Sequence, residues 1–195
     1  MLKKLLLKTY KYWSRFLPGF YYPYRLPGGR VYLDLSESRA MLARALGRYE
    51  RSKHQALEAL LPVGGVFIDV GVNKGDFALL AARLAGDRGQ VLAFEPEPQN
   101  CHWIRRSIAR NGYQNIQLHQ LALSDENGQA ELYIGKKSGW HSLVAGAQAR
   151  GDETLRVTTR TLDDFLAEQG WDRPIDLIKI DVEGADMEVL RGASR

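Results

Sequence analysis

The chain has 195 residues, the length of one ordinary domain, and its 45% hydrophobic and 26% charged content excludes the disordered and low-complexity classes. Its single cysteine, Cys101, excludes an intrachain disulfide and a cysteine-rich zinc site. The formal charge of +4 is unevenly spread: seven of the 27 basic residues lie in positions 1–30 and the first acid is Asp34, which leaves a body of 20 basic and 23 acidic residues and argues against a nucleic-acid groove there.

Residues 1–30 read as a basic, aromatic arm. Leu2, Leu6, Trp13, Phe16 and Leu17 fall near one helical face, with Lys3, Lys4, Lys8, Lys11 and Arg15 mostly off it, and eight of the 19 aromatics lie between Tyr10 and Tyr24. The apolar run is too short for a signal peptide. Over residues 1–24 the pattern suits a helix lying on an anionic membrane surface, and equally a helix packed on its own domain. Pro23, Pro27, Gly28 and Gly29 punctuate the end of the arm. Residues 31–65 form a lead-in, with a short strand at Val31–Leu33 and a helix over 37–60 whose stripe includes Leu42, Ala45, Leu46, Tyr49, Leu57 and Leu60.

From residue 66 the pattern alternates. Val66–Val70 and Val91–Phe94 are continuous apolar runs that suit buried parallel strands, and Ile116–Leu123 reads as a third. Helices are predicted over Asp76–Ala85 and Gln99–Asn111, the latter stopped by Asn111-Gly112. Strands at Ala130–Ile134 and Leu155–Thr159 flank a Gly-rich polar stretch. A helix capped by Thr161 follows, then a strand over Ile175–Asp181 and a helix from Ala185. This order predicts an α/β fold with a parallel core and right-handed crossovers.

The chemistry concentrates at strand ends. Gly71 and Gly75, in a loop between a buried strand and a helix, let the backbone turn tightly and approach a ligand, and the helix start favours an anionic group. Glu95 at the next strand tip is placed to accept hydrogen bonds from two ribose hydroxyls, the alternative being a solvent-facing acid. Asn73 stands where a dinucleotide fold has its second glycine; it would crowd a diphosphate but can hydrogen-bond an aminoacyl group. Asp69 suits the ammonium of that group. These details favour S-adenosylmethionine over a nicotinamide dinucleotide. Trp140 and His141, in the Gly-rich loop, are candidates for stacking on a sugar and for a general base. His54, His102 and His119 read as ordinary positions, and no spacing demands a metal.

An ordered series then resembles one family: Phe67–Gly75, Ala93–Pro98, Asn111-Gly112, Ala122–Asp125 with Gly128, Thr161–Asp164, and Ile178–Ala185 with Leu190–Ala193. Together these are similar to the FkbM-type methyltransferases over residues 66–193. The resemblance implies a Rossmann-like class I methyltransferase sheet with an inserted hairpin in a domain over 66–195. It implies S-adenosylmethionine as donor and O-methylation of a sugar, lipid-linked sugar or other small hydroxyl. Asp69, Gly71, Asn73, Gly75, Glu95, Ser124 and Asp181 would bind the donor. Asp181, Glu183 and His141 would serve catalysis, and Trp140, His141 and Glu183 the acceptor, with capping of the next helix as the plain alternative for the two acids. Val72 departs from the alanine usual in the family.

A class I sheet carries seven strands and the one holding Asp181 is the fourth, so the C-terminal strands are expected to be missing, leaving an apolar edge able to self-associate. The reading places the protein in the cytoplasm, with the arm as its candidate membrane contact. A nicotinamide-dependent oxidoreductase and a non-catalytic cofactor-binding module are the competing readings.

Overall fold

The computed structural model describes residues 21–34, 43–44, 49–134 and 153–194. In chain order its elements are β1 (Tyr22–Leu26), β2 (Gly29–Leu33), α1 (Arg51–Leu60), β3 (Val66–Val70), α2 (Asp76–Ala85), β4 (Gln90–Phe94), α3 (Pro98–Asn111), β5 (Ile116–His119), β6 (Ala122–Leu123), β7 (Gly128–Tyr133), β8 (Thr154–Arg160), α4 (Leu162–Glu168), β9 (Leu177–Ile180) and α5 (Asp186–Arg191). The central sheet is parallel, in the order β5-β4-β3-β9.

The apolar runs in β3 and β4 are covered on both faces, and strand alternation divides them between two cores. Phe67, Val91 and Ala93 pack with Leu57 of α1, Phe77 and Leu80 of α2 and Ile104 of α3. Ile68, Val70, Leu92 and Phe94 pack on the opposite side with Leu162 and Phe165 of α4 and Val189 of α5. Each of the larger side chains contributes roughly 1.5–3 kcal/mol by leaving water.

Local chemistry sets the helix ends. The α3 helix starts where the Glu97 carboxylate accepts the Gln99 and Asn100 amides, with Pro98 at its first position, and stops at Gly112 with φ 73°. Thr161 caps α4 as predicted: its hydroxyl accepts the Asp164 amide at 3.1 Å. Glycine is required at the start of α2, where Gly75 has φ 88°.

Four expectations change. The Ile116–Leu123 strand is two strands: the chain leaves the parallel sheet after His119, and Ala122 and Leu123 pair instead with Thr159 and Arg160 of β8. There β6, β8 and β7 form a second sheet around Ala122, Leu132 and Val157, the inserted hairpin being antiparallel β7–β8. The 37–60 helix is not continuous, because Glu50 takes a left-handed conformation at φ 45° and α1 begins after it. Within α1, Leu60 points to water and Leu61 is buried in its place. The strand read over Ile175–Asp181 shortens to Leu177–Ile180; among the described residues nothing pairs on its outer side, which leaves it the expected edge, with Ile178 39% exposed. Leu42, Ala45 and Leu46, like residues 1–20, lie outside the described residues.

The β1–β2 hairpin crosses the boundary drawn between arm and lead-in. The β1 strand carries Pro23 opposite Tyr32, which an edge strand tolerates. The hairpin turns at Pro27-Gly28, and Gly28 lies against the α2 backbone, where a Cβ would stand 2.3 Å from the Leu80 nitrogen.

Candidate functional site

The carboxyl ends of β3, β4 and β9 converge, and the loop 71–75 crosses between them. Gly71 and Val72 donate their amides to the Phe94 carbonyl at 3.0 and 3.3 Å, and Asn73 donates its amide to Glu95 Oε2 at 2.7 Å. Glu95 also accepts, on Oε1, from the Glu97 amide at 3.1 Å and Asn100 Nδ2 at 3.3 Å. Glu95 is thus buried beneath the loop rather than facing solvent. Burial pushes its carboxyl up to about 7, against the pull of those donors. Lys74 is buried too, its ammonium on Asn100 Oδ1 at 3.0 Å.

Gly71 has φ 78°, and a Cβ on it would sit 2.1 Å from the Asp181 carbonyl. The close approach this glycine permits is therefore between the tips of β3 and β9 themselves. Among the described residues, Asn73 and Glu183 join Glu50 as the non-glycine residues of positive φ, at 56° and 52°. Left-handed backbone in such residues costs energy and gathers at functional sites, and here Asn73 and Glu183 follow the tips of β3 and β9.

Asp69 is fully buried and pairs through Oδ1 with Lys179 Nζ at 3.0 Å, while its Oδ2 has no hydrogen-bond partner among the described residues. Burial raises the Asp69 carboxyl and Lys179 pulls it down; Asp76 and Asp181 add to the rise. Asp181 Oδ2 lies 3.4 Å from Lys53 Nζ and 3.8 Å from Lys179 Nζ, so it stands between two ammonium groups. Lys53 also holds Glu50 at 2.6 Å. The Glu183 carboxyl is raised, by burial first and then by Asp181, Asp186 and Glu50.

At the start of α2, Asp76 is buried against Arg44 at 3.3 Å, with His54 Nε2 at 3.7 Å, too long for a hydrogen bond. Burial would raise the Asp76 carboxyl, but Arg44 and then His54 outweigh it and hold it well below the carboxylate range. The His54 ring lies on Phe77 at 4.4 Å between centroids.

The structure therefore brings together Asp69, Gly71, Asn73, Gly75, Glu95, Asp181 and Glu183. Ser124 stands apart in its contacts: its amide donates to the Arg160 carbonyl at 2.9 Å, its hydroxyl donates to Asp125 at 3.2 Å, and Gly192 packs on its carbonyl. Trp140 and His141 lie outside the described residues. Two of the histidines read as ordinary are not: His54 faces Asp76, and the His119 ring is wedged between Phe94 and Phe165 with its Nε2 buried and unpartnered, burial holding it below the usual imidazole value. Lys179, Lys53, Glu50 and Asp76 were missed as site residues. For Lys179 a signal existed: β3 and β9 each carry one charge in an apolar run, of opposite sign, and register pairs Asp69 with Lys179.

Residues 69–195 match the family model described as the methyltransferase FkbM domain. The 2-O-methyltransferase NoeI of Sinorhizobium fredii is 30% identical over 141 residues, covering 65% of this chain and 56% of that protein. Methyltransferase sdnD of Sordaria araneosa is 32% identical over 163 residues, covering 69% and 62%, and methyltransferase 1 of Beauveria bassiana is 29% identical over 151, covering 69% and 60%. The chain thus spans about 60% of the length of these relatives. A crystal structure of methyltransferase FkbM from Methylobacillus flagellatus KT superposes with a TM-score of 0.46 at 14% identity, over 79% of this chain and 38% of that one.

Proposed function

Since the chain belongs to the FkbM methyltransferases, we propose that it binds S-adenosylmethionine at the tips of β3 and β4 and transfers the methyl to a hydroxyl of a sugar or another small acceptor. The observation that carries the donor site is the loop 71–75 clamped onto the buried Glu95, beside an Asp69 oxygen left without a partner. A buried carboxylate oxygen without a donor is costly, and an ammonium or a water would satisfy it, so the residues present fit the donor's aminoacyl end.

The donor brings a methyl already activated on a sulfonium, so the protein's work is placement and proton removal. Glu95 would receive the ribose hydroxyls and Asp69 the ammonium. Asp181, bracketed by Lys53 and Lys179, would face the sulfonium and acceptor. Glu183, whose carboxyl is raised, is the better placed of the two acids to take the acceptor's proton, a role worth roughly 10²–10⁴-fold. His141 and Trp140 would add a second base and a sugar platform from the loop. The hydroxyl acceptor rests on the family and on the name of the NoeI relative.

Calorimetry with S-adenosylhomocysteine and with NAD tests the donor: binding of the first alone is expected, and binding of NAD alone would overturn the reading. Release of S-adenosylhomocysteine across a panel of free and lipid-linked sugars tests the acceptor. A cytoplasmic enzyme touching the membrane through residues 1–24 would sediment with anionic vesicles and leave neutral ones, with binding lost as salt rises.

A further inference from the structure

We infer that Lys179 is a positioning residue for the donor: it keeps the buried Asp69 in the charged form that receives the donor's ammonium. The inference deepens the reading above and rests on it. Asp69 and Lys179 are register partners on adjacent parallel strands, so their side chains rise on one face of the sheet. The Lys179 ammonium meets Asp69 Oδ1 at 3.0 Å, the Gly71 carbonyl at 3.4 Å and Asp181 Oδ2 at 3.8 Å, with the Phe77 ring centroid 5.2 Å away. One ammonium thereby joins the tip of β9 to the acid and the first turn of the donor loop.

The charges around Asp69 make that ammonium necessary. Asp69 is wholly buried, which disfavours a carboxylate, and Asp181 on β9 and Asp76 on α2 add negative charge. Arg44 and His54 answer Asp76, and Lys53 of α1 answers Asp181 from outside. Lys179 is the cation in contact with Asp69 itself. Without it a buried carboxylate beside two acids takes up a proton. A neutral carboxyl offers no charge to an ammonium, so its free Oδ2 loses its use. A purely structural tie would affect every ligand alike; the contact between Lys179 and Asp69 acts at the aminoacyl end.

The test compares S-adenosylhomocysteine with 5′-methylthioadenosine, which shares the adenosine and sulfur but lacks the aminoacyl end. Calorimetry on the full chain would use wild type, Lys179→Met, Lys179→Arg, Asp69→Asn and the double variant Asp69→Asn/Lys179→Met. Loss of a charge-assisted contact predicts that Lys179→Met weakens S-adenosylhomocysteine by roughly ten- to a hundredfold. Binding of 5′-methylthioadenosine should be unchanged. Lys179→Arg should restore most of the loss, and the double variant should be no worse than Asp69→Asn, since both act through one charge. The deficit of Lys179→Met relative to wild type should shrink as pH rises and Asp69 ionises unaided. Equal weakening of both ligands by Lys179→Met, or S-adenosylhomocysteine affinity equal to wild type, overturns the inference. Wild type that binds neither ligand overturns the donor reading itself, which separates the two failures.

Discussion

Glu95 accepts three hydrogen bonds, from the Asn73 and Glu97 amides and Asn100 Nδ2, yet its burial leaves it titrating near neutrality. From 4.5 up to about 7 the folded chain holds a proton that the unfolded chain has lost, so this group's contribution to stability falls as pH rises through that window. Ribose hydroxyls would be further donors and would favour the carboxylate. Donor binding near pH 6.5 should therefore release a proton, seen as a calorimetric enthalpy that depends on the buffer's ionisation heat, and Glu95→Gln should abolish that dependence. An enthalpy independent of buffer in wild type would remove Glu95 from the ribose. Gly71→Ala makes a second residue-level prediction. Its Cβ would meet the Asp181 carbonyl at 2.1 Å in a left-handed conformation, so a loss of roughly 2–6 kcal/mol is expected from denaturant midpoints. An unchanged midpoint would mean that the tips of β3 and β9 separate freely.

At the level of elements, the hairpin shows how a side chain can stand in for a strand. The backbone of Arg30 donates to Asn111 Oδ1 at 2.7 Å and accepts from Asn111 Nδ2 at 2.8 Å, and the Tyr32 amide donates to Ser107 Oγ at 3.1 Å. The α3 helix thus occupies the free edge of β2 with its own polar groups, and the Tyr113 hydroxyl donates to the Gly28 carbonyl at 2.7 Å. Asn111→Leu should cost about 1–3 kcal/mol and expose the Arg30 amide to hydrogen exchange while α3 persists. Unchanged exchange at Arg30 would show the hairpin held by its apolar contacts with Leu79, Ile108, Tyr113 and Ile116. Asn111-Gly112 was legible as a helix stop, and Gly112 fulfils it. The second role of Asn111 lies 81 positions away in sequence, and no local pattern marks it. The division of Ile116–Leu123 was hidden for a similar reason: both halves read as strand, and only their partners, Phe94 for one and Arg160 for the other, separate them.

Across the whole molecule, the parallel sheet ends at β9, whose Ile178 is 39% exposed, and α5 exposes Met187 at 58% and Leu190 at 50%. Among the described residues nothing covers this side. An edge strand with apolar neighbours tends to pair with another chain. Residues 1–195 are expected to associate at micromolar concentration in sedimentation velocity, and Ile178→Lys should shift the distribution toward monomer. A concentration-independent monomer in wild type would count against it.

What the residues alone determined was the strand–helix alternation, the glycine loop after β3 and the acid at the tip of β4, because buried runs, glycine turns and caps are local chemistry. The sequence also placed Asp69, Asp181 and Glu183 at strand ends. Tertiary structure decided what those groups face. Gly71 makes room for the Asp181 carbonyl, Asp69 is met by Lys179, and Asp181 stands between two lysines, one of them 128 positions away. Charge, burial and close approach are properties of neighbours in space, and strand order and register, which no local pattern encodes, choose those neighbours.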